Sequence, residues 1–282
     1  MRVLVTGADG FTGLHLGREL ESHGHTMVPL ECDITDPSAL DQAIGTAGFD
    51  AVIHLAGIAF VGKKDFGPFY KVNQIGTFNL LEAVERHRPG CRVLVASSAN
   101  IYGDRHSGAI DESAAANPVN HYGLSKYAME LGLPLFDGLD IVVARPFNYT
   151  GVGQAANFLV PKIVGHFRRS EDVIELGNID VERDIGDVRS VVAAYRGLIE
   201  KPEAKGVFNV SRGEATALRE IVGTAEDIAG RKIEVRVNPD FVRPNEIATL
   251  CGDNSRLRAA LPDWSPIPLH ATLEWMLGSE TG

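Results

Sequence analysis

Tyr122 and Lys126 stand four residues apart in Tyr122-Gly123-Leu124-Ser125-Lys126. That spacing places both side chains on one face of a helix. An ammonium beside a phenol favours the phenolate and lowers its pKa. The pair therefore predicts a tyrosine that exchanges a proton with an alcohol or carbonyl near neutral pH. Such chemistry calls for a second donor on the same oxygen. Ser97 and Ser98 follow the apolar run Arg92–Ala96, at the strand end where open α/β sheets bind ligands. A Tyr-Lys pair by itself more often decorates a surface helix, so its weight comes from what precedes it.

What precedes it is Thr6-Gly7-Ala8-Asp9-Gly10-Phe11-Thr12-Gly13, directly after the run Arg2–Thr6. Glycines at Gly7, Gly10 and Gly13 allow a tight strand-to-helix turn and a close backbone approach to a pyrophosphate. The helix N-terminus adds partial positive charge. The turn carries no Gly-Lys-Ser/Thr, so a nucleoside triphosphate loop is excluded. A nicotinamide dinucleotide site also needs an acid about 20 residues on to hold the adenosine ribose. Glu31 meets that requirement and Asp33 follows it. A carboxylate there leans toward NAD over NADP, although a simply solvated Glu31 fits the sequence nearly as well.

These residues need a scaffold, and the pattern supplies one. Arg2–Thr6, Thr26–Leu30, Ala51–Leu55, Arg92–Ala96 and Ile141–Ala144 are short apolar runs with helical spacing between them, as over Phe11–Ser22. Asp36-Pro37-Ser38 opens a further helix, with Asp as cap and Pro in the first turn. Runs apolar on both faces and separated by helices predict an α/β fold, a Rossmann-type doubly wound parallel sheet. After about Gly151 the texture changes, and a smaller C-terminal lobe is predicted. The expected division is a dinucleotide-binding domain over 1–150, taking back about 184–211 through Val207–Val210, and a substrate lobe over 151–282. Lys232–Val237 predicts a strand of that lobe, and Leu269–Leu277 a short amphipathic helix.

Bulk composition narrows the partners. A formal charge of -10 over 282 residues opposes nucleic acid and anionic membranes. A 44% hydrophobic content is ample for a large core. The three cysteines, Cys32, Cys91 and Cys251, are far apart with no CxxC, which suggests neither disulfides nor zinc and fits a cytoplasmic protein. No signal peptide or membrane span is expected, and the nine histidines form no metal-spaced cluster.

With Val52-Ile53-His54-Leu55-Ala56-Gly57, Val72-Asn73-Gln74-Ile75-Gly76-Thr77, Ser97-Ser98-Ala99-Asn100-Ile101-Tyr102-Gly103 and Arg145-Pro146-Phe147-Asn148 added, nearly the whole chain resembles the extended short-chain dehydrogenase/reductase family. The resemblance implies Ser98, Tyr122 and Lys126 as the catalytic triad, Ser98 because it stands four before Tyr102. Tyr122 would donate the proton, and Lys126 would assist it and bind the nicotinamide ribose. It further implies a coenzyme cradle of Gly7, Gly10, Phe11, Thr12 and Gly13, with Glu31, and with Asp33 and Ile34 at the adenine. Leu55, Ala56 and Gly57 would line the dinucleotide, and Pro146 would flank the nicotinamide.

Within that family, Arg145–Gly151, Phe158–Ile163, Gly177–Asp184 and Arg243-Pro244-Asn245-Glu246 resemble the group of GDP-mannose dehydratases and GDP-6-deoxy-mannose reductases. The dehydratases carry an ionisable acid where this chain has Ala99 and Asn100, and neither residue can titrate. Reduction by NAD(P)H of the 4-keto group of a nucleotide-diphosphate 6-deoxysugar is therefore expected, GDP-4-keto-6-deoxy-D-mannose first. Alternatives are a 4-epimerase, a dTDP-linked or talose-forming ketoreductase, or a dinucleotide-sensing regulator. Asn148, Lys162, Arg183, Arg243 and Glu246 are the expected substrate ligands, with Ser98. The two arginines could instead pair with Asp184 or Glu246. Tyr149 stands where a His is common, and Ser190 where an Asp is usual. The resemblance also implies a homodimer through Asn73–Arg86 and Tyr122–Phe136, whose apolar residues could equally be core.

Overall fold

The computed structural model describes residues 1–59, 65–104, 108–241 and 248–279. The chain begins β1 (Arg2–Thr6), α1 (Phe11–Ser22), β2 (Thr26–Leu30), α2 (Pro37–Thr46) and β3 (Ala51–His54). Asp36 caps α2 as its sequence predicts, accepting from the N–H groups of Ser38 and Ala39. A short α3 (Gly67–Tyr70) runs through a π-helical turn at Lys71–Gly76 into α4 (Thr77–His87). Then come β4 (Arg92–Ala96), a 3-10 turn at Ala99–Ile101, β5 (Ala109–Ile110), α5 (His121–Gly132) and β6 (Asp140–Pro146).

Beyond this lie β7 (Asn148–Thr150), α6 (Leu159–Arg168), β8 (Val173–Leu176), β9 (Glu182–Asp187), α7 (Val188–Glu200) and β10 (Gly206–Val210). The chain ends with β11 (Ala215–Ala217), α8 (Leu218–Ala229), β12 (Glu234–Val237), β13 (Thr249–Gly252), α9 (Ser255–Ala260) and α10 (Leu269–Gly278).

Six parallel strands form the main sheet in the order β10-β6-β4-β3-β1-β2. Alternation along each strand serves two cores. Val3 and Val5 face α1 and α7, while Leu4 faces α2 and α4. Val142 and Ala144 repeat the first face and Val143 the second. Burial on both faces is what makes these strands near-continuously apolar. The strand order reverses between β1 and β3, the switch point at whose carboxyl ends open α/β sheets bind ligands.

The C-terminal lobe has its own core, with Ile163, Phe167, Ile221 and Leu273 from α6, α8 and α10 packed on β8 and β9. Its sheet runs β11-β9-β13-β5, with β7 also on β9. The short β5, from the first half of the sequence, is thus recruited by the lobe. In return α7 packs on α1 and β10 closes the edge of the main sheet. β12 pairs with β8. Among the described residues no helix is long and apolar enough to cross a membrane.

Candidate active site

The glycine turn has the geometry its composition demands. Gly7 sits at φ +67°, and a Cβ there would lie 3.0 Å from the Ala56 backbone nitrogen. A Cβ on Gly13 would come within 2.3 Å of the Gly7 carbonyl oxygen. Any side chain at these positions would fill the cradle or break it. Gly10 is the N-cap of α1 and offers no side chain, so no side-chain cap occupies the first-turn N–H groups and they suit a phosphate oxygen. The cradle fits a dinucleotide's pyrophosphate.

The opposite lip, Leu55–Gly57, is fixed by a buried polar relay. Thr77 Oγ1 donates to the Asn73 carbonyl at 2.8 Å and so accepts from His54 Nε2 at 2.8 Å. His54 Nδ1 then accepts from Thr6 Oγ1 at 2.7 Å. Thr6 Oγ1 in turn accepts from the N–H groups of Leu55 and Ala56, at 3.1 and 3.0 Å. Burial pushes His54 down to about 3, so it stays neutral and the relay keeps one direction. Asn73, fully buried, accepts from the Ile58 N–H at 2.8 Å and donates to Ser125 Oγ at 3.0 Å. It thereby ties the lip to α5.

Other expected coenzyme residues are placed as follows. Glu31 is exposed just past β2. Asp33 accepts from the Thr35 N–H at 2.8 Å, the main cause of its lowered pKa. Ile34 is 6% exposed, and its carbonyl accepts from Asn79. A Cβ on Gly76 would meet the Ile34 side chain at 2.7 Å. That side chain is therefore packed inward. Phe11 and Thr12 are engaged by the lobe: the Phe11 ring stacks on Tyr149 with centroids 6.2 Å apart, and Thr12 Oγ1 is 2.9 Å from the Tyr149 hydroxyl. Pro146 is buried at the end of β6.

At the carboxyl end of β4, Ser98 and Ser97 separate clearly. Ser97 Oγ is buried without a hydrogen-bond partner. Ser98 Oγ accepts from the backbone N–H and the side-chain amide of Asn100, each at 3.1 Å. α5 approaches this turn closely because residue 123 is Gly: a Cβ there would be 2.5 Å from the Asn100 carbonyl oxygen. Asn120 caps the helix, accepting from the Gly123 N–H at 2.8 Å.

Tyr122 and Lys126 share the face of α5 turned to the crevice, but one expectation is corrected. Burial raises the Tyr122 phenol to about 12, opposed in part by the nearby Ser98 hydroxyl. Lys126 does not bring it down. Its ammonium donates to the Ala96 carbonyl at 2.7 Å, and burial lowers its own pKa to about 8. Desolvation of both groups outweighs their mutual attraction in the protein alone.

Glu130, one turn further along α5, joins Arg145 in a buried ion pair with N–O distances from 2.6 Å. Arg145 also donates to the Tyr102 hydroxyl, which donates to Asn209. This network anchors α5 to β6 and β10. The Tyr122, Lys126, Glu130 spacing was the available signal for it. Asn73 carried no comparable periodic signal.

A cleft of about 800 Å³ runs from Tyr122 and Asn100 into the lobe, walled by Asn148, Tyr149, Lys162 and Arg183 among others. Asn148 is exposed. Lys162 donates to the Glu175 carbonyl at 2.6 Å and lies over the Phe241 ring at 4.3 Å. Arg183 donates to the Glu182 carbonyl at 2.8 Å. Asp184 is turned inward onto the N–H groups of Arg212 and Gly213. Arg243 and Glu246 lie outside the described residues. Ser190 is buried and accepts from the Ile267 N–H, which makes it a packing contact rather than a cleft residue.

Comparison with known proteins finds relatives along almost the whole chain. Residues 20–267 match the family described as GDP-mannose 4,6 dehydratase. A GDP-6-deoxy-D-talose 4-dehydrogenase from Aggregatibacter actinomycetemcomitans is 36% identical, over 98% of this chain and 97% of its own. A GDP-6-deoxy-D-mannose reductase from Pseudomonas aeruginosa is 34% identical, over 94% and 92%. The solved structure of RMD from Pseudomonas aeruginosa complexed with NADPH has 32% identity and a TM-score of 0.89, covering 98% of this chain and 97% of that one.

Proposed function

Because the chain belongs to the GDP-mannose 4,6-dehydratase family of extended short-chain dehydrogenases/reductases, we propose that it reduces the 4-keto group of GDP-4-keto-6-deoxy-D-mannose with NAD(P)H. The observation that carries this reading is Tyr122 lining, with Asn100, a cleft of about 800 Å³ that runs into the lobe, while Lys126 of the same helix lies against Gly57 of the coenzyme lip. A reduced nicotinamide held in that crevice supplies the hydride. As the sugar C4 carbonyl accepts it, Tyr122 passes its proton to the developing alkoxide and Ser98 donates a hydrogen bond to the same oxygen. Ketone, hydride and proton give one alcohol, and solvent restores the Tyr122 proton.

Gly7, Gly10, Gly13 and the Leu55–Gly57 lip hold the dinucleotide, with Phe11 and Thr12 closing the turn from the lobe side. Glu31 takes the adenosine ribose, Asp33 and the Ile34 backbone border the adenine, and Pro146 flanks the nicotinamide. Lys126 grips the nicotinamide ribose. Asn148, Lys162 and Arg183 meet the GDP diphosphate. Arg243 pairs with the same diphosphate, and Glu246 accepts from the guanosine ribose hydroxyls. The 1–150 half, with α7 and β10, forms the coenzyme domain, and the remainder forms the sugar lobe. Exposed Leu124, Leu131 and Leu135 on and after α5 and Ile75 before α4 suit a homodimer face. Three free thiols suit a cytoplasmic site.

Mixing the protein with GDP-4-keto-6-deoxy-D-mannose and NADH or NADPH tests the reading. Loss of reduced-nicotinamide absorbance is expected, and no loss above background rejects it. Product NMR then decides C4: an equatorial hydroxyl gives GDP-D-rhamnose, the expected product. The 36% identical relative is named for the talose epimer, which makes an axial hydroxyl the second reading. A sugar-nucleotide 4-epimerase would instead interconvert its sugars with no net coenzyme use.

A further inference from the structure

We infer that Asn100 is a positioning residue that holds Ser98 in a donor-only state, so that the serine proton is presented to the sugar oxygen. The inference rests on the ketoreductase reading above. A hydroxyl has one proton and two lone pairs. Both lone pairs of Ser98 Oγ are taken by Asn100, one by its backbone N–H and one by its side-chain amide, at 3.1 Å each. The serine is 4% exposed, so no bulk water competes for it. What remains for any further partner is the O–H, and both Asn100 and Tyr122 line the cleft beside it.

The turn that carries the pair is held in place: Ala99 is 1% exposed, and the Asn100 carbonyl abuts Gly123 of α5. Asn100 also lines the cleft. A carboxylate at this position would accept the serine proton instead of donating to the serine oxygen. The uncharged amide thus favours reduction by leaving the serine as a donor.

The test is a double-mutant cycle on kcat, run with Ser98→Ala, Asn100→Ala and Asn100→Asp. Ser98→Ala is expected to cost about 10²–10³-fold, Asn100→Ala about 10-fold and Asn100→Asp about 100-fold at neutral pH. In the Ser98→Ala background neither Asn100 substitution should change kcat by more than about twofold, because its target is gone. The Asn100→Asp deficit should shrink as pH falls through the pKa of the new carboxyl, whose protonated form donates again. Thermal melting monitors folding in each variant.

Equal losses in both backgrounds, or an Asn100→Asp deficit independent of pH, overturn the inference. The cycle is measured on whichever nucleotide sugar the wild-type chain turns over. Inactivity toward the GDP-4-keto sugar with turnover of another therefore ends the substrate reading alone, while the same variants still decide the role of Asn100.

Discussion

The glycine turn after β1 and the basic wall of the lobe are both proposed to meet phosphate, yet they are held differently. At the turn the donors are backbone N–H groups, fixed by Gly7 at φ +67° and by contacts that exclude a Cβ at Gly13. At the lobe the donors are long side chains. Lys162 and Arg183 already spend hydrogen bonds on the carbonyls of Glu175 and Glu182. A ligand can bind the turn with little rearrangement, but it must draw the lobe's cations away from their own backbone. Preorganisation therefore sits on the coenzyme side and adaptation on the sugar side.

The sharpest way to break this contrast lies at the junction of the two regions. Tyr122→Phe removes the proton donor and should lower kcat/KM by about 10²–10⁴-fold, while coenzyme affinity, measured by fluorescence titration, stays within about twofold. A large loss of coenzyme binding would mean that the phenol is part of the cradle.

The pH dependence comes next. Lys126 titrates at about 8 rather than its ordinary 10.5 because burial penalises its charge. Activity of the free enzyme should fall about 10-fold per unit as pH rises above 8. Stability should move the other way: between pH 8 and 10.5 the unfolded chain binds the extra proton, so unfolding free energy rises with pH. Lys126→Met should flatten both curves. Parallel rather than opposed trends would refute the assignment.

Asn73→Ala tests whether the coenzyme lip is rigid because it is hydrogen-bonded. It strips partners from the Ile58 N–H and Ser125 Oγ, a cost of about 1–3 kcal/mol. A lower melting temperature and roughly 10-fold weaker coenzyme binding are expected. Unchanged coenzyme affinity would show that the lip holds without its tie to α5.

On the adaptive side, Lys162→Met should raise KM for the GDP-sugar about 10-fold with kcat nearly intact. A fall in kcat alone would place Lys162 closer to the chemistry. The smallest effect is expected from Glu31→Ser. This exposed carboxylate should favour NADH over NADPH by only about threefold to tenfold, so the substitution should narrow that ratio. An unmoved ratio would show Glu31 to be merely solvated.

Legibility in the sequence follows the same divide. β1, α1 and β2 are readable to the residue because alternation, glycine spacing and strand-helix order are local properties. β3 ends one residue before the predicted Leu55, since that residue turns away into the lip, and β6 extends beyond Ile141–Ala144 because its neighbours β4 and β10 pair along its length. The recruitment of β5 into the lobe sheet was not readable, because a two-residue strand has no periodicity. The proposed choice of Ser98 over Ser97 acquires a physical basis only from the hydrogen bonds that one makes and the other lacks.

The amino-acid order alone determined the doubly wound sheet, the cradle and the Tyr-Lys helix face, since each arises from backbone sterics or from side-chain spacing within one element. Tertiary structure alone decided that the phenol is raised rather than lowered, that Asp184 turns inward, and that Asn73 and the Glu130–Arg145 pair brace α5. Desolvation and pairing across distant segments depend on what else fills the space, and no local pattern encodes that.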